Sequence, residues 1–289
     1  MSRLSRALWA SASATFAGGL IYSLIEPHRL QVRRFNVALP GLPRQVEGLR
    51  IAQLSDLHFS AITGPDVVRR AVHLCNQEKP DVVVLTGDYV SRRNSYAGFT
   101  LAQFWARDIR TYAEEMAAIV ADLQAPEGVF AVPGNHDLAN GNGADILGLL
   151  QNNGTQVMVN QTVYLRDVLP LTGFDDLRAG RPDLEKACAD ISPDTPQIIL
   201  SHNPRLFPRL SERNCLFISG HTHGGQVHLP GTHFRRRPRD MRFSPWHQGW
   251  YRHANAQMFI SVGVGSVHFP MRYNCPPEIV VYTLKRKMF

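Results

Sequence analysis

Residues 82–89, Val-Val-Val-Leu-Thr-Gly-Asp-Tyr, decide the fold prediction for this chain. The run 82–86 is a continuous apolar stretch, which is typical of a sheet strand that is covered on both faces. Gly87 allows the backbone to turn sharply where the strand ends, and Asp88 follows it directly. The segment therefore predicts a buried strand whose carboxyl end presents an acidic side chain.

Four other segments carry polar side chains in a similar setting. They are Asp56-Leu57-His58, Gly134-Asn135-His136-Asp137, Ser201-His202-Asn203 and Gly220-His221-Thr222-His223-Gly224. Each follows a short apolar run, and open α/β sheets bind ligands at the carboxyl ends of their strands. We therefore expect the five loops to converge on one edge of a layered sheet.

Helical patterns alternate with these strands and indicate an α/β fold. Pro65 opens a helix whose apolar positions follow the i, i+3, i+4, i+7 spacing of one helix face. That face consists of Val68, Ala71, Val72 and Cys75. A second helix, rich in aromatic and acidic residues, is predicted for residues 100–123.

In this order the five motifs resemble those of the calcineurin-like metallophosphoesterase superfamily, and the resemblance extends over residues 50–284. The chain is most similar to a bacterial branch of membrane-associated phosphodiesterases, on residues 171–176 (LTGFDD), 181–184 (RPDL) and 272–279 (RYNCPPEI). Members of this branch are similar to an enzyme of lipid A synthesis that cleaves the pyrophosphate of UDP-2,3-diacylglucosamine. The resemblance implies a layered β-sandwich flanked by helices, with the phosphoesterase domain at residues 49–289.

The resemblance also implies a site for two divalent metal ions. The expected ligands are Asp56, His58 and His223 for the first ion, Asn135, His202 and His221 for the second, and Asp88 as a bridge through its two carboxylate oxygens. Such mixed oxygen and imidazole ligands suit Mn, Fe, Zn or Co, of which we expect Mn. A hydroxide that bridges the ions would then attack a phosphodiester or pyrophosphate bond.

His136 matches the catalytic histidine of the superfamily, which protonates the leaving oxygen or stabilises charge in the transition state. In many relatives the second motif continues as Gly-Asp-x-x-Asp, and the last aspartate orients this histidine. Here that position is Ser91. Either another carboxylate, for which Asp137 is a candidate, supports His136, or His136 acts without such support.

The charge balance suggests anionic partners. The net charge is +7, which is compatible with a phosphorylated lipid or nucleotide substrate, an anionic membrane surface or nucleic acid, and composition alone does not choose among them. The arginines at 235–237, 239 and 242 form one cluster without a recognisable nucleic-acid-binding module, which argues against nucleic acid as a partner. A general phosphodiesterase acting on soluble nucleotides or nucleic acid is the alternative function. The four cysteines form no C-x-x-C pair, so we expect free, mostly buried thiols.

The amino terminus has its own pattern. Residues 7–25 contain no charged side chain, and this length can just cross a membrane. We interpret residues 1–28 as a retained anchor, a cleaved signal or a membrane-surface segment, and residues 29–48 as a linker with a leading strand. Arginines at 29, 33 and 34 outnumber those at 3 and 6. By the positive-inside rule the catalytic domain would face the cytoplasm at the inner membrane, with the periplasm left open.

Two segments outside the motifs could select the substrate. Residues 91–112 are rich in aromatic residues, which either pack a helix or form a lid for acyl chains. The arginine cluster at 235–242 is either a solvated charged run or a contact for lipid headgroups or a second phosphate.

Overall fold

The computed structural model describes residues 2–91, 107–229, 241 and 244–287. Over these residues the chain forms two six-stranded sheets that pack face to face and carry helices on their outer faces. The predicted layered α/β sandwich is thus confirmed. Two predicted substrate-selecting features, the aromatic residues 92–106 and most of the arginine cluster at 235–242, lie outside the described residues.

The first sheet has the strand order β1-β12-β2-β3-β4-β5. Its strands are β1 Gln31–Leu39, β2 Arg50–Leu54, β3 Val82–Leu85, β4 Val129–Ala131, β5 Gln156–Val157 and β12 Glu278–Arg286. Strands β2 to β5 run parallel to one another, whereas β12 is antiparallel to β2 and parallel to β1. The parallel centre of this sheet is what places successive loops at the same edge.

The second sheet has the order β10-β11-β9-β8-β7-β6. Its strands are β6 Gln161–Leu165, β7 Leu169–Gly173, β8 Gln197–Leu200, β9 Cys215–Ser219, β10 Gly249–His253 and β11 Ala256–Ile260. Strands β7, β8, β9 and β11 run parallel, and the two outer strands are antiparallel to their neighbours.

The alternation of side chains along each strand builds the core in layers. In β3, Val82 and Val84 face the second sheet, whereas Val83 and Leu85 face the helices. The helix layer on the first sheet consists of α2 Pro65–Gln77, α3 Ile109–Val120 and α5 Gly143–Asn152. Two shorter helices are α4 Asn135–Leu138 and α6 Leu184–Cys188. This double coverage explains why the strands read as continuous apolar runs.

The predicted helix from Pro65 is confirmed, and its four predicted apolar residues are those that α2 buries. The second predicted helix is shorter within the described residues, because α3 begins at Ile109 after the side chain of Asp108 caps its amino end. All four cysteines are free and buried, as predicted.

Helix α1, Arg3–Ile25, lies at the amino terminus and is followed by a 3-10 turn, Glu26–His28. Among the described residues, no helix has both the length and the apolar character needed to span a membrane. The carboxyl end of α1 packs on the protein, where the Tyr22 ring meets the Tyr273 ring edge to face at 5.5 Å.

Candidate metal centre

The five motif loops converge at one edge of the sandwich. Strands β2, β3 and β4 of the first sheet, and β8 and β9 of the second, each end directly before a motif. The two sheets therefore contribute side chains from opposite sides of the same cleft, as the sequence predicts for parallel strands. Two groups of three side chains, each close enough to share a cation, result from this convergence.

The first triad consists of Asp56, His58 and His223, all of them buried. The Nε2 atoms of His58 and His223 lie 2.9 Å apart, and His223 Nε2 lies 3.3 Å from Asp56 Oδ1. The loops after β2 and β9, which are far apart in sequence, supply these residues. Two imidazole nitrogens and a carboxylate oxygen at such distances form a donor set for a borderline divalent ion.

The second triad consists of Asp88, His202 and His221, which are also buried. His202 Nε2 lies 3.1 Å from His221 Nδ1 and 3.2 Å from Asp88 Oδ2. The backbone N–H of His221 donates to both carboxylate oxygens of Asp56, at 3.1 Å each. The two triads are thus joined through the backbone of the last motif.

Asp88 lies between the triads. Its Oδ2 atom is 3.5 Å from His58 Nε2 on one side and 3.2 Å from His202 Nε2 on the other. Its Oδ1 atom accepts a hydrogen bond of 2.8 Å from the backbone N–H of His136. One carboxylate oxygen of Asp88 therefore faces both triads, and the other accepts a hydrogen bond from the third motif.

Asn135 follows β4 and directly precedes the residue that donates to Asp88. Its side chain is buried, and its Oδ1 atom has no hydrogen-bond partner among the described residues. Leaving a buried amide oxygen unpaired costs about 1–3 kcal/mol. A cation beside Asn135 Oδ1 would satisfy it, so this orphaned oxygen fits the expected metal ligand.

Outer contacts orient two imidazoles of the site. His202 Nδ1 lies 2.8 Å from the carbonyl oxygen of Thr86, which can only accept, so Nδ1 carries a proton and Nε2 faces the triad. His58 Nδ1 lies 2.6 Å from Ser91 Oγ, and this hydroxyl oxygen can accept a hydrogen bond from Nδ1–H. Such outer contacts commonly orient metal-binding histidines and strengthen them as ligands.

Ser91, which replaces the aspartate of many relatives, and Asp137, the candidate carboxylate beside His136, contact other parts of the site. Ser91 contacts His58. Asp137 accepts hydrogen bonds of 2.8–2.9 Å from the backbone N–H groups of Asp88, Tyr89 and Gly134. Burial and the nearby charge of Asp88 raise the pKa of Asp137 to about 7. Asp137 therefore ties the second motif to the third.

Two glycines allow this close contact between the motifs. A Cβ atom on Gly87 would lie 2.7 Å from the backbone of Gly134, and one on Gly134 would lie 2.3 Å from Asp88. Neither position has room for a side chain. The glycines are therefore required by the approach of two backbones as well as by the turn.

The loops hold five candidate ligands in the left-handed backbone region. The φ angles are 51° for Asp56, 44° for His58, 57° for Asp88, 73° for His221 and 52° for His223. Non-glycine residues rarely adopt such angles, and each costs about 1–3 kcal/mol unless its surroundings enforce it. Strain concentrated on one set of side chains indicates that their placement serves a purpose other than stability.

Burial and mutual attraction set the charges in the site. Burial lowers the pKa of His58 and of His223 well below the usual value, so both imidazoles are neutral. Burial opposes the ionisation of Asp88, but attraction by His202 and other histidines outweighs it, so the pKa of Asp88 lies well below its ordinary range. The pKa of His202 is correspondingly raised, because Asp88 outweighs the effect of burial. A cation at this position would replace that proton, since a ligating imidazole must be neutral.

His136 lies beside the first triad. Its ring meets the His58 ring edge to face, with 4.9 Å between the centroids, and it is only partly covered. Burial, with repulsion from His202, His221 and Arg178, lowers its pKa despite the opposing charge of Asp88. A neutral imidazole at the mouth of a phosphate site can donate an N–H to an oxygen of the substrate.

Comparison with known proteins bears on this geometry. The model of the calcineurin-like phosphoesterase family matches residues 49–253. The metallophosphoesterase YkuE of Bacillus subtilis is 28% identical over 96% of this chain and 93% of its own length. The UDP-2,3-diacylglucosamine pyrophosphatase LpxG of Chlamydia trachomatis is 29% identical over 73% of this chain and 74% of its own length. A solved dimetal phosphatase from Danio rerio covers 75% of this chain and 88% of that one, at 14% identity and a TM-score of 0.45.

Proposed function

The chain belongs to the calcineurin-like phosphoesterase family, and on this basis we propose that it hydrolyses phosphodiester or pyrophosphate bonds at a site for two metal ions. One observation carries the proposal, namely that Asp88 Oδ2 lies within 3.5 Å of an imidazole nitrogen in each triad. A carboxylate oxygen in that position can be shared by two cations. The family and the two triads together imply two divalent ions, and the enzyme is a hydrolase.

We assign the ligands as the sequence predicts. The first ion would be held by Asp56, His58 and His223, the second by Asn135, His202 and His221, and both by Asp88. Carboxylate, amide and imidazole donors without thiolate favour Mn, with Fe, Zn or Co as the other candidates. When bound, two such ions polarise the phosphoryl group and make water a stronger nucleophile.

The protein's own groups orient the reaction. The backbone N–H of His136 fixes the Asp88 carboxylate. The imidazole ring of His136 is partly exposed and is placed to donate a proton or a hydrogen bond to the leaving oxygen. The hydroxyl of Ser91 contacts Nδ1 of His58, so Nε2 of that ring faces inward. The carbonyl of Thr86 orients His202 in the same way. We therefore propose His136 as the catalytic residue that contacts the substrate.

We propose a nucleotide-linked lipid as the substrate, with UDP-2,3-diacylglucosamine as the first candidate. Two relatives that carry this activity in their names, from Chlamydia trachomatis and Chlamydia muridarum, are 29% and 28% identical to the chain. The net charge of +7 favours an anionic substrate. A general phosphodiesterase that acts on soluble nucleotides is the alternative outcome.

We further propose that α1 rests on an anionic membrane surface. Six large apolar side chains of this helix are 44–76% exposed: Trp9, Phe16, Leu20, Ile21, Leu24 and Ile25. Elsewhere in the described residues, only Val159, Tyr164 and Leu229 are comparably exposed. Apolar side chains on one helix, together with a basic protein, are typical of a helix that lies in the lipid headgroup region. A cytoplasmic orientation stays a prediction.

Hydrolysis of two substrates tests the proposed function. Mn-loaded protein is assayed on UDP-2,3-diacylglucosamine and on bis-p-nitrophenyl phosphate, with a chelated sample and Asp88→Asn as blanks. Release of UMP from the lipid supports the pyrophosphatase. Turnover of the artificial diester alone would keep the phosphodiesterase chemistry and reject the lipid substrate, whereas no metal-dependent turnover of either would reject both.

A further inference from the structure

The tail segment 272–279, which the sequence singles out as a branch feature, contributes none of the proposed metal ligands. Arg272 is its largest buried side chain and is 0% exposed. Its Nη2 atom donates to the carbonyl oxygens of Val262, Gly263 and Gly265 at 2.8, 3.2 and 2.6 Å, and Nη1 donates to the carbonyl of Cys275 at 3.1 Å. A buried guanidinium is costly, so four convergent carbonyls indicate that it holds a specific structure.

That structure is the loop 262–265, which runs directly beside the first triad. The backbone N–H of Val264 donates to the Ser55 carbonyl at 3.0 Å, and that of Gly265 donates to the Asp56 carbonyl at 2.8 Å. A Cβ atom on Gly263 would lie 2.6 Å from Asp56 Cβ. The loop therefore fixes the backbone of Asp56, whose left-handed φ of 51° needs such enforcement.

On its other side, the tail segment contacts helix α1. The backbone N–H of Arg272 donates to the Ser23 carbonyl at 2.9 Å, and the Tyr273 ring packs on Tyr22. Glu26, 2% exposed, accepts from Tyr22 Oη at 2.7 Å and from the backbone N–H of Cys275 at 3.2 Å. A continuous series of contacts thus joins α1 to the loop beside Asp56.

We propose that Arg272 is a positioning residue for the first metal triad and that α1 is coupled to this triad through it. The guanidinium gathers three carbonyls of one loop, and the loop in turn sets the backbone of Asp56. Docking of α1 holds the segment from which Arg272 projects. This inference rests on the proposed function, because Arg272 would position a metal ligand that the proposed function assigns.

Arginine suits this position better than lysine. Its planar fork reaches several carbonyls at once, whereas an ammonium group on a flexible stem is a single point of charge. Arg272→Lys therefore keeps the buried charge and loses most of the directed contacts. This variant separates the effect of geometry from that of charge.

The test measures Mn binding to each triad separately in the full-length protein. His221→Ala removes a ligand of the second triad and leaves the first, and His223→Ala does the converse. Arg272→Lys is combined with each, and Mn is titrated into the chelator-treated protein by calorimetry. We expect Mn affinity to fall by about 10–100-fold in the His221→Ala background, as for other outer-shell changes, and to stay within about twofold in the His223→Ala background.

A pair of helix variants tests the coupling to α1 and does not disturb the buried arginine. Tyr22→Ala removes the contacts with Tyr273 and Glu26, whereas Phe16→Ala changes a side chain of the same helix that is 76% exposed. Tyr22→Ala should weaken Mn binding at the first triad by about threefold or more, and Phe16→Ala should leave it unchanged. Circular dichroism confirms that each variant is folded, and if Arg272→Lys fails to fold, the helix pair decides.

The outcomes separate the two proposals. If the wild-type protein binds none of the candidate ions Mn, Fe, Zn and Co, the proposed function fails. If wild type binds two ions and Arg272→Lys leaves both affinities unchanged, the positioning role is overturned while the proposed function stands. If Tyr22→Ala leaves both affinities unchanged, the coupling to α1 is overturned. Equal weakening at both triads would also overturn it, because that result indicates a general loss of structure.

Discussion

The two triads have similar ligands but are held in place by different means. The second is fixed by groups within the motifs themselves, since Asp137 ties Asp88 and Gly134 together and Thr86 orients His202. The first depends in addition on groups outside its own motifs, namely Ser91 and the loop 262–265. A sequence motif can therefore identify a metal ligand without containing the groups that position that ligand.

The largest effect is expected where the two triads meet. Asp88→Asn places an amide where one oxygen faces both triads, so Mn binding should fall at both sites and kcat/KM should drop on the order of 10³-fold. Steady-state hydrolysis of bis-p-nitrophenyl phosphate measures the loss. Asp66→Asn, at an exposed carboxylate, serves as the matched control. A drop in kcat/KM of less than tenfold would show that Asp88 is not shared by the two metal sites.

The next largest effect is expected on stability, at the contact between the second and third motifs. Asp137→Ala leaves three backbone N–H groups without their acceptor, and we expect a loss of about 2–4 kcal/mol in the free energy of unfolding. Urea denaturation of the metal-free protein measures it, with the exposed Asp145→Ala as control. An unchanged midpoint would show that these hydrogen bonds do not hold the second motif to the third.

A smaller effect should be confined to the first triad. Ser91→Ala removes the acceptor for His58 Nδ1, so Mn affinity at that triad should fall about tenfold and that at the second triad should stay the same. Ser211→Ala, at a half-buried serine outside the motifs, provides the control. Should Ser91→Ala instead lower kcat without changing Mn affinity, Ser91 would support His136 and our assignment of its contact would be wrong.

The smallest effect concerns the reactivity of buried thiols, and it compares the thiol beside the first triad with thiols elsewhere in the protein. Burial raises the pKa of Cys75 and of Cys215 to about 12, so neither thiol should react with iodoacetamide at pH 8 in the folded protein. Cys275 lies beside the first triad and donates to the carbonyl of His223. Mass spectrometry should find that Tyr22→Ala accelerates labelling of Cys275 alone. Equal labelling of Cys75 would indicate general unfolding.

The sequence predicts the central strands and their loops well, because continuous apolar runs and the motifs after them carry the information locally. The run 82–86, for example, corresponds to β3 Val82–Leu85 with Asp88 following at the cleft. The parallel pairing of β1 with β12 joins strands at opposite ends of the chain, and no local pattern reveals it.

The supporting groups could not be predicted for a similar reason. Ser91 is three residues from Asp88, and comparison with relatives suggests a role beside His136, yet its hydroxyl contacts His58 from another motif. Arg272 lies 216 positions beyond Asp56 in sequence (272 − 56) and reaches it only through a loop. Such contacts depend on how the sheets pack, which the periodicity of a single segment does not determine.

The proposed function requires that two cations share Asp88. Crystals grown with Mn and measured at a wavelength with strong Mn anomalous scattering test it directly. We predict two anomalous peaks about 3.5–4 Å apart, one within each triad and both in contact with Asp88. A single peak, or two peaks that Asp88 does not join, would contradict the claim.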